Sequence, residues 1–206
     1  MARKVLLIRH GETDTKYRGC FIGSTDIPLS PEGRLQSSLL AGPLRREAAV
    51  RYISSPSLRT CETARCALAW DPIAPDLDPD IREVDFGAWE GKTFEEITAS
   101  DPEAVAGWAS YRPDFAFPGG EAIADFTKRV QKTGERIAAD PAETVVVFTH
   151  AGIIRAMICH YLGLDARNYL YFDVKPASVT TIMVHNGRGV LTGLNDLCHL
   201  EDRQHG

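Results

Sequence analysis

The residues best equipped for chemistry are a cation, an imidazole and a glycine in immediate succession, Arg9-His10-Gly11-Glu12, at the end of the apolar run Val5-Leu6-Leu7-Ile8. A second histidine closes an equally apolar run far downstream, Val145-Val146-Val147-Phe148-Thr149-His150-Ala151-Gly152. Runs of this kind read as buried strands, and in open α/β sheets ligands sit at the carboxyl ends of strands. A further arginine, Arg59, falls in the first turn of the helix after a second short strand. A cation there opposes the helix dipole, which makes a local anion a reason for its position. Arginine's planar donor fork suits oxyanions, helix N-termini near Arg59 and Gly152 add backbone donors, and Gly11 and Gly152 permit close backbone approach. Arg9, His10, Arg59 and His150 together describe one oxyanion pocket built from both halves of the chain.

The elements that must position these residues emerge from periodicity and punctuation. Lys4–His10 reads as a buried strand and residues 11–29 as a long loop, rich in glycine, threonine, serine and aspartate. Ser30-Pro31-Glu32-Gly33 predicts a helix start, continuing to about Arg46 with Leu35, Leu39 and Leu44 inward. Val50–Ser54 reads as a short strand. Ser57–Leu68 reads as a helix capped by Ser55 or Ser57, with Leu58, Cys61, Ala64 and Leu68 inward. Residues 71–80 form a connection with at most a short strand. Helices are expected over Thr93–Ser100, Pro102–Tyr111, Ala122–Ala139 and Gly152–Leu162, with a loop at Pro113–Gly120. Val145–His150 is the central strand, and Val179–Val184 and Val190–Gly193 pair around the turn Asn186-Gly187. Asp202–Gly206 reads as a polar tail. The alternation predicts an α/β fold: a three-layer α/β/α sandwich with a mostly parallel central sheet and one antiparallel edge strand. We expect a single domain over residues 1–206, with a small helical cap at about 93–121.

Composition bounds the function. With 206 residues, 44% of them hydrophobic and 25% charged, the chain suits a soluble globular domain. No apolar stretch approaches the ~18 residues of a membrane span, and the N-terminus lacks the pattern of a signal peptide. Five cysteines without a C-x-x-C pair argue against a disulfide framework and a zinc cage. They fit a reducing, cytoplasmic setting. Cys20 comes shortly after the first motif and could be a thiol near the site, although an ordinary packing role is preferred. A net charge of −5 argues against nucleic-acid partners, but not against a small anionic substrate in a basic cleft. The late strands leave an edge through which two copies could pair as a homodimer. A metal site at His10, His150 and Glu83 lacks H-E-x-x-H or comparable spacing, so neither metal nor cofactor is expected. Gly119-Gly120 lacks the strand-to-helix setting of a nucleotide fingerprint and reads as a hinge near the site mouth.

Leu7-Ile8-Arg9-His10-Gly11-Glu12-Thr13 resembles the signature of the histidine phosphatase superfamily, which includes the phosphoglycerate mutases. The resemblance runs along nearly the whole chain. Ser54-Ser55-Pro56 through Arg59 and Glu62-Thr63-Ala64 is similar to the segment carrying that family's second arginine. Arg82-Glu83 before Phe86-Gly87 and Glu90-Gly91 is similar to its acid segment, and Phe148-Thr149-His150-Ala151-Gly152 to its second histidine motif.

The resemblance implies a phosphoryl-transfer mechanism in which His10 is the nucleophile and becomes a phosphohistidine. Arg9, Arg59 and His150 would bind the phosphoryl oxygens, with Gly11 and Gly152 lining the substrate site. Glu83 would protonate the leaving alcohol and later activate water. On residue type alone, Glu83 beside Arg82 and Asp85 could equally belong to a surface ion cluster, and His160, His185, His199 and His205 match no motif. Lys16 stands where the family often has a phosphate-contacting asparagine, and could offer charge instead. The short stretch between Glu83 and His150 favours a phosphatase over a cofactor-dependent phosphoglycerate mutase, whose longer lid retains a bisphosphate. Phe117-Pro118-Gly119-Gly120-Glu121 with Asp125-Phe126 and Arg129-Val130 resembles the α-ribazole phosphatase branch. A metal-independent phosphomonoesterase acting on a small phosphorylated metabolite is therefore expected, α-ribazole 5′-phosphate first and sugar phosphates next. A phosphoglycerate mutase, and a non-enzymatic binder of phosphorylated ligands, are the alternatives.

Overall fold

The computed structural model describes residues 3–48, 50–112 and 114–201, so Pro113 in the predicted loop and the tail at 202–206 lie outside the described residues. Six strands form one sheet: β1 (Arg3–Arg9), β2 (Val50–Ser54), β3 (Asp76–Leu77), β4 (Thr144–Thr149), β5 (Val179–His185) and β6 (Arg188–Asp196), in the order β3-β2-β4-β1-β5-β6. The first four of that order are mutually parallel. The antiparallel edge is built as a hairpin, with β5 running against β1 and β6 turning back outside it. Asn186 and Gly187 both take positive φ, 50° and 78°, the backbone that a two-residue hairpin turn requires.

Period-two alternation divides the apolar side chains between two faces. Val5, Leu7, Val145 and Val147 pack with Ile153, Ile154 and Met157 of α7 (Ala151–Leu162) and with Phe126 and Val130 of α6 (Ile123–Ala138). Leu6, Ile8, Val146 and Phe148 pack on the other face. There they meet Leu40, Leu44 of α2 (Ala41–Leu44), and Ala64 and Ala67 of α3 (Leu58–Ala67). The central strand β4 is buried along its whole length, as a strand covered by helices on both faces must be. Three layers result, α/β/α. Two short helices, α4 (Phe94–Ser100) and α5 (Pro102–Ala109), precede α6, and α8 (Cys198–Glu201) comes after β6. Among the described residues, no helix is long and apolar enough to cross a membrane.

Three local expectations are corrected. The helix begins as predicted, with Ser30 accepting from Gly33 N at 3.0 Å, but it does not run unbroken to Arg46. It ends as α1 (Pro31–Leu39), and α2 is a separate turn after it. Pro43 has no N–H to extend the ladder. Leu35 is 45% exposed rather than inward, and Leu40 takes the buried place. Leu58 likewise points outward, because α3 buries the polar residues Arg59, Thr60, Glu62 and Thr63 in its first turns, ahead of the apolar Ala64 and Ala67. Apolar periodicity cannot find a helix face that is buried for its hydrogen bonds. Leu35→Ala should shift unfolding free energy by less than about 0.5 kcal/mol, whereas Leu40→Ala should cost about 2–5 kcal/mol. Denaturant midpoints compare the two, and equal losses would contradict this packing.

Candidate active site

Neighbouring parallel strands bring the two histidines together. β1 pairs with β4 so that Arg9 lies opposite Thr149, and His10 N donates to Thr149 O at 3.0 Å. The next residue on each strand is a histidine, and the ring centroids stand 5.4 Å apart. On the other side of β4, Ser55 N donates to Phe148 O, which sets Ser55 at the end of β2 beside His150. The carboxyl ends of β2, β4 and β1 thus present Ser55, His150 and His10 in a row.

Each imidazole has one nitrogen engaged. His10 Nδ1 lies 2.8 Å from Gly11 O, which can only accept, so Nδ1 carries the proton and Nε2 holds a free lone pair. His150 Nε2 lies 2.9 Å from Ser55 Oγ, with Ser57 Oγ at 3.5 Å, while its buried Nδ1 has no partner. Burial pushes both imidazoles well below their ordinary range, assisted at His10 by Arg9 and Arg59, and at His150 by Arg59, His10 and Arg9. Both rings are therefore neutral at pH 7. A neutral ring with an unprotonated Nε2 is what a nucleophilic histidine needs.

The arginines are held through their own edges. Arg59 is 1% exposed. Its terminal nitrogens donate to Thr25 O at 3.0 Å and Gly23 O at 2.9 Å, leaving Nε buried without a partner. Arg9 donates from Nη1 to Val174 O at 2.6 Å, and its Nε is likewise unpartnered. Burial lowers the affinity of both guanidinium groups for their proton, pulling Arg9 to about 10, and Glu83 opposes that loss at each. Thr149 Oγ1 donates to Ile81 O at 2.7 Å and so ties the segment before Glu83 to the end of β4. Glu83, 8% exposed, accepts from Gly152 N at 3.0 Å and from Val84 N at 3.1 Å. It is buried at the wall of a cavity rather than placed in a surface ion cluster. A Cβ on Gly152 would come within 3.1 Å of the Glu83 carboxyl carbon and closer still to Oε1, so glycine is needed for this approach. Gly11 is confined in the same way by Gly33 O and Ser37 Oγ. A cavity of about 570 Å³ opens above Arg9, His10, Gly11, Arg59, Glu83 and Gly152, with His150 buried behind them.

The profile of the histidine phosphatase superfamily (branch 1) matches residues 5–197. The chain belongs to this superfamily. Phosphoserine phosphatase 1 of Hydrogenobacter thermophilus is 34% identical over 198 residues, covering 96% of this chain and 94% of the relative. The adenosylcobalamin/alpha-ribazole phosphatase of Salmonella typhimurium is 28% identical, covering 93% and 96%. Among solved structures, a histidine-to-alanine mutant of phosphoserine phosphatase from Entamoeba histolytica, in complex with phosphoserine, superposes with a TM-score of 0.84 at 29% identity, covering 96% and 99%. The chain is a phosphatase of the histidine type.

Of the predicted site residues of this phosphatase, Lys16 is the one left outside. Asp14 caps the turn Thr15–Tyr17 by accepting from Lys16 N at 3.0 Å. That turn sends Thr15 and Tyr17 to the cavity and Lys16 outward, over the Tyr17 ring and 4.0 Å from Asp14. Other participants escaped sequence reasoning. Ser57 makes no capping bond; Asp26 accepts from Leu58 N in its place, and the hydroxyls of Ser55 and Ser57 face His150 Nε2 instead. Glu90 accepts from Thr25 Oγ1 at 2.6 Å and from the backbone N–H groups of Gly23, Ser24, Thr25 and Phe86. Burial opposes its ionisation, but these donors win and hold its carboxyl below the ordinary range. Arg155 also lines the cavity, and its signal was visible as the one charge inside the apolar helix Ala151–Leu162.

Two measurements check the site. In NMR titrations the His10 and His150 rings should stay neutral through the range in which an ordinary histidine takes up its proton; a midpoint near 6.5 for either would contradict their burial. Gly152→Ala should leave a folded protein whose kcat is lowered at least roughly tenfold, because Glu83 must move.

Proposed function

We propose that the protein is a metal-independent phosphomonoesterase working through a phosphohistidine on His10. The observation that carries this reading is a set of three buried nitrogens without partners, Arg9 Nε, Arg59 Nε and His150 Nδ1, beside the free Nε2 of His10. A buried donor left unsatisfied costs about 1–3 kcal/mol, so such groups persist where a ligand satisfies them. Three donors match the three non-bridging oxygens of a phosphoryl group. These cationic and neutral donors supply the positioning and charge stabilisation that phosphoryl transfer requires.

In the first step His10 Nε2 forms a bond to phosphorus while the P–O bond to the alcohol breaks, and Glu83 gives its proton to the departing oxygen. In the second, water attacks phosphorus and the P–N bond breaks. Glu83 takes the proton from that water, and inorganic phosphate leaves. His150 would donate from Nδ1 while Ser55, held by Ser57 at 3.2 Å, donates to Nε2.

For the leaving group, the aromatic side of the cavity, with Phe21, Phe86, Trp108 and Phe117, supports a ring-bearing alcohol and hence α-ribazole 5′-phosphate. Phosphoserine is the second reading, favoured by the 34% identical relative. Phe94, Trp108 and Phe117 come from the 93–121 segment, which supports that segment as a cap within a single domain. We assign the chain to the cytoplasm on its free cysteines.

p-Nitrophenyl phosphate should be hydrolysed at a rate unchanged by EDTA, and His10→Ala should lose the phosphoenzyme burst and turnover by on the order of 1,000-fold. Activity abolished by EDTA and restored by a divalent cation would reject metal independence, and equal rates for wild type and His10→Ala would reject the mechanism. With 3-phosphoglycerate and catalytic 2,3-bisphosphoglycerate, phosphate release should exceed isomerisation; fast isomerisation would favour a mutase.

A further inference from the structure

Arg155 is the cavity arginine that phosphoryl chemistry leaves unused. The three non-bridging oxygens are matched by Arg9, Arg59 and His150, and Arg155 stands apart from that set. It lies three residues beyond Gly152 in α7, so the two share a helix face and differ in height by about 4.5 Å. Gly152 N–H is the group that holds Glu83. An alcohol oxygen protonated by Glu83 therefore has its own substituents within the reach of Arg155.

The guanidinium is aimed as well as near. Its Nε donates to Phe172 O at 2.8 Å, which fixes the plane. Its two terminal nitrogens have no protein partner among the described residues. Other cavity arginines are more committed: Arg59 uses both terminal nitrogens on loop carbonyls, Arg9 uses one on Val174 O, and Arg18 lies 3.6 Å from Glu12. Arg155 also adds to the positive field that acts on Arg9, a repulsion that an anion between them would relieve. A pre-aimed guanidinium with a free end-on pair, facing a cavity with aromatic walls, suits two-point recognition of a carboxylate.

The geometry points to Arg155 as the specificity residue that receives a carboxylate carried by the leaving alcohol, so that phosphorylated hydroxy acids and amino acids are the substrate class. The assignment rests on the phosphatase reading of His10 and Glu83. Of the two leaving-group readings given above, it favours the second, phosphoserine, over α-ribazole 5′-phosphate, which offers no carboxylate.

The test compares kcat/KM for O-phosphoserine and its methyl ester at a mildly acidic pH that keeps both amino groups protonated, so that the two differ in the carboxylate charge. The wild type should prefer the free acid by about tenfold or more, chiefly through KM. Arg155→Gln should bring the ratio to within about twofold of unity, and Arg155→Lys, a point charge without the fork, should keep part of the preference. A merely structural role for Arg155 would lower both substrates together and leave their ratio intact. An unchanged ratio in Arg155→Gln, or no preference in the wild type, overturns the assignment. Should Arg155→Gln not fold, a wild-type ratio retained in full by Arg155→Lys would overturn it too. p-Nitrophenyl phosphate separates the two levels. Wild-type turnover of it without acid preference removes only the role of Arg155, whereas failure on all three esters removes the phosphatase reading itself.

Discussion

Burying Arg59 is the constraint around which this site is organised. An ion taken out of water costs several kcal/mol unless its surroundings replace the lost hydration. Here the replacement is backbone: Thr25 O and Gly23 O accept from the two terminal nitrogens. That solution turns the loop's carbonyls inward and leaves its N–H groups to be satisfied elsewhere, and Glu90 collects those of Gly23, Ser24 and Thr25. A cation and an anion thus grip one loop from opposite sides, each satisfying the half of the peptide group that the other cannot. What remains of Arg59 is Nε, buried and without a protein partner.

The same allocation of donors governs the histidines. Two imidazoles with ring centroids 5.4 Å apart, beside two guanidinium groups, cannot all be charged in a site this deeply buried. The rings give way and stay neutral, the state that the proposed roles of His10 as nucleophile and His150 as directional donor require. Their tautomers are set by groups that have nothing to do with substrate: the carbonyl of Gly11 for one, the hydroxyl of Ser55 for the other. Glycines at 11 and 152 are then dictated by space, because a methyl group at either would collide with the atoms that complete the site.

Chemistry and selectivity come from different parts of the fold. Strand ends and the first turns behind them supply the floor of the cavity, the anion site of the proposed reaction, where parallel pairing fixes positions tightly. The walls come from loops and from the helices between β3 and β4, whose aromatic rings pack edge to face against one another. A fold divided in this way can change its leaving group without disturbing phosphoryl transfer. Arg155 lies at the join, on a helix that belongs to the floor but facing the space enclosed by the walls.

The strands and the two histidine motifs were legible in the primary structure because buried parallel strands are continuous apolar runs, and the residues just past their carboxyl ends face the ligand crevice. Ser30, Pro31 and the Asn186-Gly187 turn were legible for the same local reason: each acts through its own neighbours in the chain. Leu35 and Leu58 misled because periodicity counts apolar residues and cannot know that one face of α3 is buried for Arg59, Glu62 and Thr63. Lys16 misled because its direction depends on the turn capped by Asp14. The roles of Ser55, Glu90 and Arg155 were decided only by tertiary structure. Their partners, His150, the 23–25 loop and Phe172, are remote in the chain, and the folded backbone alone brings them within hydrogen-bonding distance.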